Sequence, residues 1–133
     1  MTIEEIEMSL PNGLHDAILR RLTIDYGKLH AKLDIEVNIG DNISEEQSQQ
    51  YKLGYLTLDK FLFCIIESPS SIYHAKENNG VWITSSGPVL DPGILEKLPR
   101  PLPKGAFVHY LFINDWNAFI YISAMEAYFE WAM

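Results

Sequence analysis

The chain has 133 residues and a formal net charge of −8, because 18 acidic side chains outnumber 10 basic ones. This length fits one domain of the commonest size, and a content of 47% hydrophobic and 21% charged residues excludes the composition of a disordered segment. The acidic balance repels phosphate backbones and anionic lipid surfaces, so nucleic acid and membranes are poor candidate partners. A protein with a basic surface would be attracted instead.

Cysteine usage and hydropathy point to a reducing compartment. Cys64 is the only cysteine, so no internal disulfide and no cysteine-rich metal site can form. The first ten residues lack the basic flank and apolar run of a signal peptide. The apolar stretch 107–133 is interrupted by acidic and amide residues, which leaves no run long enough to cross a bilayer. We therefore expect a cytoplasmic protein.

Residues 1–9 are expected to form a short helix or a frayed segment. Thr2 can cap a helix, Glu5 follows three residues later, and Ile3 and Ile6 can dock on a core.

A turn and a hairpin are predicted next. The turn at Leu10–Leu14 contains a proline and a glycine that can take a positive φ. The segment Ala17–Asp25 is mainly apolar or β-branched, and Tyr26–Lys28 can reverse the chain. In Leu29–Ile39 apolar and polar residues alternate strictly, which predicts a strand with one face on a core and the other in water.

The middle of the chain leaves one alternative open. Gly40–Gln50 is polar and is interpreted as a loop. Tyr51–Glu67 is apolar on both parities, so it is either two short strands meeting at Leu58–Lys60 or one long strand buried on both faces.

A second hairpin is predicted from an Asn-Gly turn. Ile72–His74 and Val81–Thr84 flank Glu77–Gly80, whose last two residues suit the positive φ angles of a tight turn. Ser85–Pro88 is expected to end the strand.

The rest of the chain is predicted as one helical turn, an extended segment and a third hairpin. The helical turn covers Asp91–Leu98, and three prolines between 99 and 103 favour a polyproline-like crossing segment. Ala106–Asn114 and Ala118–Trp131 are strands joined by Asp115–Asn117.

The sum is a single domain over residues 1–133 that is mainly β, with α+β as the variant. Six to eight antiparallel strands would form a curved sheet, a sandwich or a half-barrel with short helical segments. Because a β-rich chain must cover its sheet edges, a homodimer formed by edge pairing is also compatible with the sequence.

Two neighbouring residues are the first candidates for chemistry. His15 and Asp16 lie between the turn and the first strand, where a His-Asp pair could serve acid–base work or ligate a metal. The structural alternative, which we favour, is that His15 fixes the turn and Asp16 accepts bonds from nearby backbone amides.

Other catalytic and metal signatures are missing from the sequence. The four histidines have no spacing that would place two ligands on one element, so no metal is expected. Cys64 lies in an apolar run and is interpreted as core. Neither a phosphate loop nor a nucleophile elbow occurs, so we expect no cofactor and favour a non-enzymatic function.

Aromatic residues make the second half of the chain a candidate interface. Trp116 is the residue singled out for an interface or pocket rim, because it lies in a polar loop. The remaining aromatic residues of this half are equally expected in a β core; they are Trp82, Trp131, Tyr110, Tyr121 and Tyr128.

The segment Leu10–Ala17, LPNGLHDA, followed by a strand and then a strictly alternating strand, resembles the opening of a loose set of small bacterial proteins. Some of these are similar to polymorphic-toxin immunity proteins with a His-Asp-Ala element before the first strand. The resemblance covers the first third of the chain, and it implies a bacterial cytosolic domain that blocks a toxin by binding it. We therefore expect a non-catalytic protein-binding domain, immunity-like or an adaptor. The alternative is a small-ligand-binding or enzymatic domain with a cavity near His15 and Asp16.

Overall fold

A computed structural model describes residues 1–40, 50–69 and 80–133. It consists of six strands and two short helices within these ranges. In chain order the elements are α1 (Ile3–Ser9), β1 (Ala17–Asp25), β2 (His30–Asn38), β3 (Tyr51–Ile66), β4 (Val81–Pro88), α2 (Pro92–Leu95), β5 (Phe107–Ile113) and β6 (Ala118–Trp131).

The strands form a closed antiparallel barrel in the order β1-β2-β3-β6-β5-β4, with β4 returning to β1. The mainly β prediction is confirmed, whereas the curved sheet, sandwich or half-barrel is replaced by a closed barrel. Closure depends on three pairs that join Ala17–Leu19 to Val81–Ile83. Pairing between segments so distant in the chain leaves no local pattern, which is why the sequence did not predict it.

The backbones approach closely where the barrel closes. A Cβ added to Gly80 would lie 2.5 Å from Cγ2 of Ile18 and 2.9 Å from the carbonyl oxygen of Leu19. Real Cβ atoms do not tolerate such distances, so only glycine lets β4 begin against β1 here.

The alternative left open for Tyr51–Glu67 is decided by the course of β3. This segment is one strand of 16 residues, but Lys60 has a φ of 52°, and the register with β6 shifts between Phe61 and Phe63. The carboxylate of Asp59 accepts a hydrogen bond from the amide of Lys60 at 2.9 Å. The strand therefore bends at the point where two strands had been predicted to meet, and its apolar residues change faces there.

Apolar side chains fill the barrel interior. The alternating residues of β2 point inward, and Leu33, Ile35 and Val37 are fully buried as the sequence predicted. Helix α1 packs on the same core through Ile3 and Ile6, and the side chain of Thr2 caps it by accepting from the amide of Glu5 at 3.1 Å.

A second, smaller core lies on the outside of the barrel. Val89, Leu98 and Val108 are buried there, with partly buried side chains from the end of β3, from α2 and from the middle of β5 and β6. The predicted helical turn is confirmed as α2, capped by Asp91, and residues 99–103 follow it without helix or strand. Helix α2 and the segment after it therefore cover part of the outer sheet surface.

Three other predictions differ from the structure or lie outside the described residues. Strand β4 does not end at Ser85 but continues through Pro88, because it pairs with β5 as far as His109. The loop at 41–49 and the hairpin segment Ile72–His74 with its turn at 77–79 lie outside the described residues.

In the described ranges we find no helix that is long and apolar enough to cross a membrane. The cytoplasmic location and the edge-paired homodimer stay predictions.

Gly54 offers a direct test of the core packing. The ring of Phe129 lies against this glycine so closely that an added Cβ would be 2.3 Å from its Cζ atom. We expect Gly54→Ala to lower the free energy of unfolding by about 1–3 kcal/mol, measured by urea denaturation, because the ring must move in a packed core. The exposed turn variant Gly27→Ala, whose Cβ meets only a carboxylate oxygen at 3.5 Å, serves as control. A loss no larger than that of the control would contradict this packing.

Candidate functional site

His15 and Asp16 lie together on the surface between α1 and β1. Nδ1 of His15 is 2.8 Å from the carbonyl oxygen of Thr84, and because a carbonyl only accepts, this ring nitrogen carries the hydrogen. Nε2 of His15 is 3.4 Å from the carboxylate of Asp16, and the two side chains are 67% and 50% exposed. The bond to Thr84 ties the turn to β4, in agreement with a structural role, and Asp16 takes a φ of 60° at the entry to β1.

Trp116 lies in the turn between β5 and β6. Its side chain is partly buried and packs against the barrel core. It also lines a cavity of about 270 Å³ together with residues from β1, the end of β3 and the start of β4. The turn is held by the carboxylate of Asp115, which accepts from the backbone amide of Trp82 at 2.7 Å. Trp116 therefore both lines a cavity and packs against the barrel core.

A partly buried polar cluster of Glu7, Ser86 and His109 joins helix α1 to the barrel. One carboxylate oxygen of Glu7 accepts from the hydroxyl of Ser86 at 2.5 Å and is 2.9 Å from Nε2 of His109. His109 is 1% exposed. The carboxylate stands between the hydroxyl and the imidazole, so the histidine does not contact the hydroxyl as a general base would. The arrangement fastens α1 and supplies no nucleophile.

The sequence analysis did not bring these three residues together, because 79 residues separate Glu7 from Ser86 and 102 separate it from His109. The only local signal of this cluster in the sequence was Glu7, a polar residue on the helix face that also carries Ile3 and Ile6.

Removing the carboxylate of Glu7 should destabilise the fold. We expect Glu7→Ala to lower the free energy of unfolding by about 1–3 kcal/mol, because it leaves the buried imidazole of His109 and the half-buried hydroxyl of Ser86 without this partner. The exposed Glu4→Ala on the same helix should change stability by less than about 0.5 kcal/mol. Equal urea midpoints for the two variants would show that the cluster does not hold α1.

Cys64 is packed against the core, as the sequence predicted. Burial raises the pKa of its thiol from an ordinary 9.0 to about 11. A thiol in this setting is a poor nucleophile at neutral pH.

This pKa predicts how Cys64 reacts with iodoacetamide. Two pKa units lower the thiolate fraction at pH 8 about 100-fold, so the folded protein should be alkylated at least about 100-fold more slowly than the chain unfolded in urea. The rate for the folded protein should rise about tenfold per pH unit up to the limit of its stability. A rate that levels off near pH 9 would contradict the buried thiol.

A cavity with an aromatic floor lies on the outer surface of β4, β5 and β6. Two cross-strand aromatic pairs form its floor, Tyr110 opposite Tyr121 and Phe112 opposite Phe119. The space above them has a volume of about 600 Å³, in the range of ligand sites. We call it the aromatic groove, and the residues on which the argument rests are Tyr110, Phe112, Phe119, Tyr121, Ser85, Leu90 and Asp91.

The four rings of the aromatic groove contact one another in an ordered way. Phe119 and Tyr121 stack with centroids 5.7 Å apart and planes inclined by 13°. Tyr110 meets Phe119 edge to face at 5.8 Å, and Phe112 lies 4.9 Å from Phe119. Phe119 is therefore the centre of the floor, and losing its ring would remove the contacts that orient the other three.

The rim of the aromatic groove combines an exposed apolar side chain with hydrogen-bonding groups. Leu90 is 77% exposed. The hydroxyl oxygens of Ser85 and Tyr110 are 3.3 Å apart, and the carboxylate of Asp91 caps α2 by accepting from the amide of Gly93 at 2.8 Å. A ligand would meet apolar faces in the middle and polar groups at the edge, which is the usual composition of a recognition site.

Negative charge is present at the Tyr121 side as well. Burial, and then the charge of Glu67, raise the pKa of Tyr121 above its ordinary value. The carboxylate of Glu67 accepts from the amide of Phe119 at 2.7 Å, so it is held against β6. Lys97 and Glu67 both line a neighbouring cavity. Asp91 is the charged residue that lines the aromatic groove itself.

The candidate residues from the sequence and the aromatic groove are different sites. His15, Asp16 and Trp116 do not line the groove. The sequence analysis had named Tyr110 and Tyr121 in its aromatic set, but Phe112 and Phe119 were missed. Their outward position follows from alternation, since Leu111, Ile113 and Ile120 point inward. Among the described residues, no group of three or more histidine, cysteine or acidic side chains is arranged to hold a metal ion.

No family model matches this chain, and neither does any curated protein. A crystal structure of an uncharacterized protein from Neisseria gonorrhoeae is similar over 87% of this chain and 91% of that chain, with 14% sequence identity and a TM-score of 0.49.

Proposed function

We propose that this protein is a non-catalytic protein-binding domain and that the aromatic groove is its binding face. The observation that carries the proposal is the set of four contacting aromatic rings on the outside of a barrel whose interior is already filled by other residues. Aromatic side chains of this kind are enriched at the energetic centres of interfaces.

The groups available for chemistry support binding over catalysis. Glu7 separates the serine from the histidine in the polar cluster, and burial suppresses the thiolate of Cys64. His15 and Asp16 are exposed, and neither lines the aromatic groove or the cavity at Trp116. The alternative function, a small-ligand or enzymatic site at His15 and Asp16, is therefore less well supported by the described residues.

The charge of the chain supports a basic partner. A net charge of −8 steers a positively charged surface toward this protein and speeds the encounter. An immunity role, in which the partner is a toxin with a basic surface, is one form of the proposal. An adaptor with another basic partner is the other form.

A displayed library of random peptides tests whether the aromatic groove binds protein segments. We expect wild-type protein to enrich a defined set of peptides and the Phe119→Ser variant to lose at least about tenfold in affinity for them, measured by fluorescence anisotropy. Thermal melting monitored by circular dichroism would first establish that the variant is folded.

The matched control is Tyr128→Ser. This exposed tyrosine is on the same strand but outside the groove. Its variant should bind the selected peptides as the wild-type protein does. The proposal would be overturned by a library that yields no enriched peptide, or by peptides that bind the Phe119→Ser variant with unchanged affinity.

A further inference from the structure

We infer that the partner segment in the aromatic groove is an extended, proline-rich stretch that carries a basic residue next to its prolines. This inference rests on the proposed function, since it names the chemistry of the partner for the same groove. Four steps support it: the shape of the floor, the hydrogen-bonding groups, the packing of the chain's own proline-containing segment, and the charge at the rim.

The floor of the aromatic groove fits rigid, apolar rings. The rings of Phe119 and Tyr121 are nearly parallel, while Tyr110 stands edge-on to Phe119, so the floor is an apolar surface of rings that hold one another in place. Proline rings pack on such surfaces without losing rotamer freedom, and a polyproline helix is already ordered before it binds. An aromatic-lined groove is the recurring way in which proteins recognise this conformation.

The hydroxyl groups beside the floor match the backbone of such a segment. A polyproline helix makes no internal hydrogen bonds, so its carbonyl oxygens need donors from a partner. The hydroxyls of Ser85 and Tyr110 share a hydrogen bond of 3.3 Å at one side of the groove, so one of them donates to the other and the second is left to donate to a carbonyl. A helix or a paired strand would bring few unsatisfied carbonyls to this position.

The same outer surface already holds a proline-containing segment of this chain, residues 99–103, which is neither helix nor strand. Leu98 and Leu102 flank the first prolines of residues 99–103 and pack in the outer core, in which Tyr110 and Tyr121 also take part. Those two tyrosines therefore contact the outer core on one side and line the aromatic groove on the other. The partner segment would lie on this surface beside a proline-containing segment that packs there through Leu98 and Leu102.

The negative charge at the rim of the aromatic groove favours a positive charge on the partner segment. The carboxylate of Asp91 lines the aromatic groove, and Glu67 adds negative charge near Tyr121. Glu67 lines a neighbouring cavity and not the groove, so Asp91 is the residue that we assign to the basic side chain of the partner. Arginine suits it best, because a guanidinium can bond a carboxylate in two places and stack on a neighbouring ring.

The test uses the full chain and a fluorescein-labelled synthetic peptide of about twelve residues, with one arginine followed by repeated Pro-Pro-Leu units. Two matched peptides replace either all prolines by alanine or the arginine by glutamate. We expect the proline peptide to bind and the alanine peptide to lose at least about tenfold in affinity. Amide resonances of β5 and β6 should shift on titration with the proline peptide.

Variants of the protein show which of its side chains binds the prolines of the peptide and which binds the arginine. Phe119→Ser should weaken the proline peptide at least about tenfold, and Asp91→Asn should weaken the arginine peptide about two- to fivefold, with a smaller effect on the glutamate peptide. Asn at position 91 can still cap α2, so the fold is preserved in that variant. Tyr128→Ser should change neither affinity.

The inference is overturned if the proline and alanine peptides bind equally, or if neither shifts the resonances of β5 and β6 at millimolar concentration. If the random library nevertheless yields peptides that depend on Phe119, the aromatic groove binds protein segments of another kind, and only the proline assignment fails. If small aromatic molecules shift the same resonances while no peptide does, both the inference and the proposed function fail.

Discussion

The three residue pairs between β1 and β4 are the contact on which the rest of the structure depends. They turn a six-stranded sheet into a closed barrel and so define an inside and an outside for every strand. Gly80 permits this contact, because any larger residue would collide with Ile18 and the backbone of Leu19. Closure also brings Thr84 within reach of His15 and Ser86 within reach of Glu7. Both polar links between the N-terminal residues and β4 are therefore consequences of the same contact.

Local features of the fold could be predicted from the sequence. The alternation in Leu29–Ile39 predicted β2 and its buried face, and Thr2 with Glu5 predicted the start of α1, because each signal lies within a few residues. The course of β3 was only half predicted. Apolar residues of both parities in Tyr51–Glu67 pack in the structure. The bend at Lys60, however, depends on a positive φ, and a lysine in the sequence does not indicate a positive φ.

The strand order could not be predicted, because pairing between distant segments depends on which faces fit once the barrel closes. The candidate sites show the same limit. His15 and Asp16 attracted attention because they are adjacent, yet the structure uses His15 to hold a turn. Phe112 and Phe119 are separated by a hairpin turn and become a pair only through the register of β5 and β6. Asp91 joins them because α2 packs on the outer sheet surface.

The alternation of β5 and β6 places two independent sets of side chains on the same two strands. Leu111, Ile120 and Ile122 face the barrel core, while Tyr110, Phe112, Phe119 and Tyr121 between and beside them face the aromatic groove. Stability is therefore encoded on one parity, and the recognition that we propose is encoded on the other. The outward residues can therefore change, by evolution or by engineering, to suit a different partner while the inward residues preserve the same barrel. The groove stays on the same rigid strands throughout.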